Sequence, residues 1–108
     1  MKTIIALGSN SNQEENVSKA QILLKQHFEG IKFSDVQWTE PIGIKSDKFL
    51  NCLGTFETDI SLTQVKQCLK EIEQTMGDSH ENHQKGNVLI DIDLAQYGEE
   101  IVKEIIWL

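Results

Sequence analysis

The segment NVLIDIDLAQYG, residues 87–98, restricts the fold more than any other part of the chain. Its pattern predicts a β-strand, in which successive side chains point to opposite faces of a sheet. One face is apolar and consists of Ile90, Ile92 and Leu94. The other face carries Asp91 and Asp93, between Leu89 and Ala95. Because burying two carboxylates is costly, this strand fits an antiparallel sheet that is covered by helices on one face only.

Asp91 and Asp93 are also the first candidates for chemistry. On one face of a strand their Cα atoms are expected about 6.5–7 Å apart, and carboxylates at that spacing repel each other unless a cation lies between them. Carboxylate oxygens are ligands that Mg²⁺ prefers. The alternative is a solvated outer face of the sheet, on which polar residues are ordinary. The pair by itself leaves both interpretations open.

The rest of the chain predicts two helices among the strands. Apolar residues at helical spacing indicate one helix at 13–28 and a second that follows the capping-box pair Ser61 and Gln64 and ends at Gly77. The predicted strands are residues 2–9, residues 31–39 with an irregularity, residues 49–58, residues 87–98 and a short one within 101–108. The order β-α-β-β-α-β predicts an α+β, ferredoxin-like sandwich with two helices on one face of an antiparallel sheet.

The composition narrows the class of function. The chain has 108 residues, which suits a single domain over residues 1–108, and a formal charge of −7. All of its basic side chains other than histidine are lysines and they form no basic stripe, so no nucleic-acid partner is expected. The opening run MKTIIALGSN is too short for a signal peptide or a membrane span, so we expect a soluble cytoplasmic protein without a membrane partner. Cys52 and Cys68 lack metal-ligand spacing and are expected to pack as small apolar side chains.

Five motifs in chain order resemble one known family. They are ALGSN after the first strand, TEPIG in the loop that follows the second, FLN at the start of the third, IEQTMG at the end of the second helix, and IDIDLAQYG. Together with the spacing between Glu73 and Asp91, they resemble 6-hydroxymethyl-7,8-dihydropterin pyrophosphokinase, the folate-pathway enzyme that transfers a pyrophosphoryl group from ATP to a pterin alcohol. The resemblance runs over essentially the whole chain. Family members are longer, so we expect their C-terminal part to be absent here.

The resemblance implies roles for the two aspartates. In the family, the Asp-x-Asp strand holds two Mg²⁺ ions that clamp the ATP phosphates, which implies that Asp91 and Asp93 are metal ligands and catalytic residues. The chemistry is consistent, because Mg²⁺ combines one or two carboxylates with substrate phosphates, and phosphoryl transfer depends on positioning and on neutralisation of charge.

The resemblance also implies a pterin site. Asn51 matches the asparagine that hydrogen-bonds the polar edge of the pterin, and Phe49 matches a nearby aromatic residue. The loop residues that match backbone contacts to the same edge are Thr39, Pro41, Ile42 and Gly43. Gly8 and Ser9 match a turn beneath the site. The alternatives are that Phe49 only covers the sheet and that Asn51 only serves the turn after the loop.

The phosphate side departs from the family pattern. Family members carry arginines and a Trp-Gly-Pro-Arg run between the second helix and the aspartate strand. Aligned without gaps, the arginine positions hold Asp78, His80 and Val88, the tryptophan position holds Lys85, the proline position holds Asn87, and only Gly86 persists. Arginine offers phosphate a fixed bidentate fork, so its loss is expected to weaken phosphate binding.

Two features of the same stretch could compensate. Lys85 is a candidate phosphate contact and catalytic residue, since lysine binds phosphate as a point charge, and the resemblance places Glu73 with Lys85 on the nucleotide side. His80 and His83 suggest a metal site or simply solvated loop histidines, because no third ligand accompanies them.

Three functions remain open from the sequence. The first is an active, shortened enzyme that converts MgATP and the pterin alcohol to AMP and the pterin pyrophosphate. The second is a paralogue without ATP chemistry that serves as a small-ligand-binding or regulatory module. The third is a ligand-sensing ferredoxin-like module that pairs its sheets in a dimer. A homo-oligomer, or a partner chain that supplies basic residues, is also left open.

Overall fold

The computed structural model describes residues 1–41, 47–78 and 86–105. Within these ranges the chain forms two helices and six strands. In chain order they are β1 (Lys2–Ser9), α1 (Gln13–His27), β2 (Lys32–Phe33), β3 (Gln37–Thr39), β4 (Phe49–Glu57), α2 (Leu62–Thr75), β5 (Asp91–Tyr97) and β6 (Glu100–Ile101). The predicted order of elements is therefore confirmed, and the short strand predicted within 101–108 is limited, in the described part, to β6.

The strands form one antiparallel sheet in the order β2-β4-β1-β5-β6, and β3 pairs with β4 beyond the end of β2. β1 is central, between β4 and β5, and both helices follow a strand and return the chain across the sheet. The predicted α+β, ferredoxin-like fold is confirmed.

The irregularity predicted in the second strand is the break between β2 and β3. Ser34 lies at this break and exchanges two hydrogen bonds with Leu53 of β4. Its backbone N–H donates to the carbonyl of Leu53 at 2.9 Å, and its Oγ accepts from the backbone N–H of Leu53 at 2.8 Å. A serine side chain thus supplies a bond that the backbone ladder would otherwise make, and the pairing with β4 resumes at Gln37.

The core lies between the sheet and the helices. Its helical side consists of Val17, Ala20 and Leu24 of α1 and Val65, Leu69 and Ile72 of α2. Its sheet side includes Ile5, Leu7, Cys52, Ile92 and Leu94, and the Phe28 and Phe56 rings stack with centroids 4.1 Å apart. Burial of each large side chain of this kind contributes about 1.5–3 kcal/mol.

The predicted capping box fixes the start of α2. Ser61 Oγ accepts from the backbone N–H of Gln64 at 3.1 Å, and Gln64 Oε1 accepts from the backbone N–H of Ser61 at 2.9 Å. The helix ends before Gly77, whose φ of +84° is in the left-handed region that glycine adopts without strain. This end places Glu73, one turn earlier, beside β5.

The alternation predicted for β5 holds from Asp91 to Leu94 and then breaks. The register with β1 shifts between Ile4 and Ile5, so that Leu94 lies opposite Ile5 and Gln96 lies opposite Ile4. Ala95 is the extra residue of this bulge, which is why it does not continue the strict alternation with the aspartates.

The cysteines and membrane spans were also subjects of prediction. Cys52 is buried, Cys68 is half-buried, and neither forms a disulfide. No helix in the described ranges has the length and apolar content needed to cross a membrane.

Candidate functional site

A cleft of about 240 Å³ lies on the sheet face that the helices leave open. β1 contributes Gly8, β4 contributes Phe49 and Asn51, and β5 contributes Asp91 and Asp93. The end of β3 and the segment after β6 supply its walls, through Thr39, Glu40, Lys103, Glu104 and Ile105. The structure thus brings three of the predicted pterin residues, Thr39, Phe49 and Asn51, into one concavity with the two predicted metal ligands.

Asn51 is held at the floor of this cleft by two neighbours. It lies opposite Gly8 in the β1–β4 register, it is only 4 % exposed, and its Nδ2 donates to Thr39 Oγ1 at 2.6 Å. A Cβ at Gly8 would lie 2.6 Å from Asn51 Oδ1, so the amide occupies the space that the missing side chain leaves. The resemblance places Gly8 beneath the site, and the close approach supplies a physical reason for glycine there.

The other predicted pterin residues are distributed around Asn51. Phe49 is half-buried, lines the cleft and lies opposite Thr39 in the β3–β4 register. Pro41 is half-buried but is not among the residues that line the cleft. Ile42 and Gly43 lie outside the described residues, so the contact predicted for their backbone stays a prediction.

The two aspartates face the cleft as the alternation predicts. Asp91 lies opposite Gly8 and Asp93 lies opposite Ala6. Burial, a hydrogen bond to Asp93 and the negative charges of Asp93 and Glu73 raise the pKa of Asp91 to about 8, and Lys103 opposes this increase. This raised pKa favours a protonated Asp91 at neutral pH, hydrogen-bonded to Asp93.

Such a pair suits a hard cation that takes its remaining ligands from elsewhere. In the described part of the chain, no group of three or more His, Cys, Asp and Glu side chains is arranged to hold a metal. Mg²⁺ commonly uses one or two carboxylates and completes its six ligands with water and substrate phosphates. Asp91 and Asp93 fit this mode of binding and do not form a self-sufficient metal cage.

Lys103 is a site residue that our sequence reasoning missed. Its Nζ donates to Asp93 Oδ2 at 2.9 Å, and the backbone N–H groups of Val102 and Lys103 both donate to the carbonyl of Ala95, at 2.9 Å and 3.2 Å. Burial opposes the charge of Lys103, but Asp93, Asp91 and Glu73 outweigh that effect and raise the pKa of the ammonium. The turn at Gly98 was the available signal, since a tight hairpin brings residues shortly after it back beside β5.

Glu73 lies on the other side of the aspartates. It is 9 % exposed, and its Oε2 accepts from the backbone N–H of Ile92 at 2.7 Å, on the edge of β5 where no strand of the described residues pairs with Ile92. Burial raises the pKa of Glu73, the bond from Ile92 and the charge of Lys70 oppose this, and Asp78 and Asp93 add to it. The carboxylate thus joins α2 to β5, and its predicted contact with nucleotide stays a prediction.

A second cavity, which we call the groove, has a volume of about 380 Å³ and lies between α2 and β5. Lys66, Lys70 and Glu73 line it from α2. Asp91, Asp93 and Lys103 line both the groove and the cleft. The two cavities therefore meet at the aspartate pair and its lysine partner.

The segment that leads into β5 is held by two polar side chains. One of them, Asp78, stands at a position where the resemblance expects arginine, and the other is Asn10. Asp78 Oδ1 accepts from the backbone N–H of Leu89 at 3.1 Å. Asn10, which is buried, accepts from the backbone N–H of Val88 and donates to the carbonyl of Gly86, both at 2.7 Å. Asp78 and Val88 therefore take part in hydrogen bonds that hold this segment. His80, His83 and Lys85 lie outside the described residues.

Ser9 also helps to hold the segment that leads into β5. It is fully buried, and its Oγ donates to the carbonyl of Ser11 at 2.9 Å and more distantly to that of Val88 at 3.4 Å. The predicted turn beneath the site thus connects the end of β1 to the approach to β5.

Comparison with protein families places the chain beside a known family. The sequence model for 7,8-dihydro-6-hydroxymethylpterin-pyrophosphokinase matches residues 4–107. No curated protein matches the chain.

Proposed function

The chain belongs to the 7,8-dihydro-6-hydroxymethylpterin-pyrophosphokinase family, and from this premise we propose that it transfers a pyrophosphoryl group from MgATP to 6-hydroxymethyl-7,8-dihydropterin. The observation that carries the proposal is the junction of two cavities at Asp91 and Asp93. A transferred group must contact both substrates, and carboxylates at such a junction can hold the cation that the phosphates require. The proposal includes a cytoplasmic location and action as a single domain.

The cleft would take the pterin. Asn51 offers an amide with donor and acceptor atoms, as the polar edge of a pterin requires, and Phe49 offers a ring for its flat face. Thr39 holds the Asn51 amide in one orientation through their hydrogen bond. Pro41, Ile42 and Gly43 are proposed to complete the site from the adjoining loop. The acceptor hydroxymethyl group would then point toward the aspartates.

The chemistry requires one bond to form and one to break. The acceptor oxygen bonds to the β-phosphorus of ATP, the bond between the β-phosphorus and the oxygen that bridges it to the α-phosphorus breaks, and AMP leaves with that electron pair while the hydroxyl proton passes to solvent. Asp91 and Asp93 are proposed to hold two Mg²⁺ ions. When bound, the metal neutralises phosphate charge and lowers the pKa of the acceptor hydroxyl. Glu73 and Lys85 are proposed to contribute on the nucleotide side.

A second candidate function is ligand binding without transfer. Two of the positions at which the family resemblance expects arginine hold Asp78, whose carboxylate accepts from Leu89, and Val88, which is buried. Neither side chain can hold a phosphate through a positive charge. This protein would then bind a pterin in the cleft and act as a binding or regulatory module.

The decisive experiment measures AMP formation from ATP, Mg²⁺ and the pterin alcohol. We expect Asp93→Asn to reduce the rate by roughly 100-fold or more, because it removes a carboxylate that would hold the metal. The matched control is Asp35→Asn, an exposed aspartate between β2 and β3, which should retain the natural rate. If the natural protein binds the pterin but forms no AMP, the second function replaces the first.

A further inference from the structure

The boundary between the cleft and the groove is made by few side chains. Of the described residues, Asp91, Asp93 and Lys103 line both cavities. If the acceptor lies in the cleft and the nucleotide in the groove, the pyrophosphoryl group that moves between them lies at this boundary. Lys103 is the cationic side chain of the three, and its position therefore bears directly on the reacting group.

The ammonium of Lys103 is placed there by backbone contacts. The carbonyl of Ala95, the extra residue of the β5 bulge, accepts from the N–H groups of both Val102 and Lys103. This brings Nζ to 2.9 Å from Asp93 Oδ2. An ammonium carries three N–H donors, so one can remain on Asp93 while the others contact an anion.

The groove carries further positive charge on the α2 side. Lys66 and Lys70 lie one helical turn apart and line the groove opposite Lys103. The chain has no arginine, so lysines are the side chains available to hold phosphate with a permanent charge. The three lysines balance the three carboxylates of the same lining, Glu73, Asp91 and Asp93, so the groove is less negative than a chain with a formal charge of −7 would otherwise make it.

We propose that Lys103 is the side chain that binds the transferred pyrophosphoryl group at the boundary, and that Lys66 and Lys70 hold the remaining phosphate of the nucleotide in the groove. These lysines take the place of the arginines that the chain lacks. The inference rests on the proposed function, since it assigns the nucleotide to the groove. The competing explanation is that Lys103 serves only as a counter-ion for Asp93.

The test measures binding of α,β-methylene-ATP with Mg²⁺ by calorimetry, without the pterin. This analogue keeps the triphosphate but cannot undergo cleavage between its α- and β-phosphates. Lys103→Met should weaken binding about 10- to 100-fold, because it removes a charge-assisted hydrogen bond to phosphate. Lys103→Arg should restore most of the affinity. Lys66→Met and Lys70→Met should each weaken binding by a smaller factor.

Lys32→Met is the matched control, because Lys32 is an exposed lysine of β2 at the far edge of the sheet. It changes the net charge by the same amount and should leave the affinity unchanged. The melting temperature of every variant, measured without ligand, shows whether a loss of binding reflects a loss of folded protein.

Each contrary outcome has a distinct meaning. If the natural protein binds the analogue and Lys103→Met binds it equally well, the inference is wrong and the proposed function stands. If Lys103→Met lowers affinity only in proportion to a lower melting temperature, and arginine does not rescue it, Lys103 is a counter-ion and the inference is again wrong. If the natural protein binds the pterin but not the analogue, ATP-dependent transfer fails and the inference fails with it.

Discussion

At the scale of single residues, Gly8 is the position on which the acceptor side depends most closely. A methyl group there would meet Asn51 Oδ1 at 2.6 Å, so Gly8→Ala must displace the Asn51 amide. We expect a loss of about 1–3 kcal/mol in the free energy of unfolding from overpacking. Affinity for the pterin should fall by about tenfold or more, because the amide leaves its hydrogen-bonding position. Pterin fluorescence titration and urea unfolding measure the two effects.

Gly54→Ala provides the contrast for this prediction. Its added methyl group would meet Ile5, Phe33 and Ile31 at 3.1–3.2 Å, on the side of the sheet away from the cleft. It should therefore lower stability by a similar amount and leave pterin affinity unchanged. Equal losses of affinity in both variants would show that the effect of Gly8→Ala is general instability and not displacement of Asn51.

The raised pKa of Asp91 makes a prediction about pH, for protein kept free of divalent metal by a chelator. The folded protein keeps this proton up to about pH 8, whereas the unfolded chain loses it near the ordinary value of 3.8. Between these values the folded state binds more protons than the unfolded state. The contribution of Asp91 to the free energy of unfolding therefore falls as the pH rises. Asp91→Asn removes this dependence.

Urea unfolding of the natural protein and the variant, compared from about pH 5 to about pH 9, checks this prediction. The variant should gain stability relative to the natural protein as the pH rises. Parallel stability curves would mean that Asp91 ionises at its ordinary pKa and that the carboxylate pair does not share a proton.

At the scale of secondary-structure elements, Glu73 joins α2 to β5 through the backbone N–H of Ile92. Glu73→Ala should lower the free energy of unfolding by about 1–3 kcal/mol, because the backbone N–H of Ile92 loses its acceptor in a buried setting. Glu73→Gln keeps an acceptor oxygen and should cost much less. Urea unfolding gives the two values, and hydrogen exchange at Ile92 reports the bond itself. Fast exchange at Ile92 in the natural protein would contradict this role.

The sequence predicted these elements unevenly, for physical reasons. Helix α2 was predicted well because the Ser61 and Gln64 capping box is a local signal. The face of β5 that carries Asp91 and Asp93 was predicted because alternation is a property of any strand. The bulge at Ala95 was missed, since it arises from pairing with β1 and leaves no local mark. Lys103 was missed although the Gly98 turn indicates a hairpin, because its place beside Asp93 also depends on that bulge.

At the scale of the whole molecule, the fold explains why the candidate site has one open side. Helices cover one face of the sheet, so the face with Asn51 and the two aspartates is free to bind ligands. The motif order predicted both this arrangement and the family. The sequence could not decide what replaces the arginines, because that answer depends on which lysines the fold brings to one cavity. Pairing two copies through this face would bury the carboxylates, which disfavours the sheet-to-sheet dimer considered above.

The bulge in β5 has a consequence for how this site can vary between related chains. Both bonds that hold Val102 and Lys103 are made by backbone atoms, with the carbonyl of Ala95 as their common acceptor. The exposed side chains from Glu99 to Ile101 can therefore change without moving the lysine, provided that the backbone path is kept. Gln96 and Gly98 hold that path, because Gln96 Nε2 donates to the carbonyl of Gly98 at 2.8 Å and Gly98 has a φ of +61°. A single insertion or deletion at the Gly98 turn would move Lys103 away from Asp93. In diverged relatives, the residue equivalent to Lys103 is best found by its distance along the chain from the turn and not by the identity of the neighbouring residues.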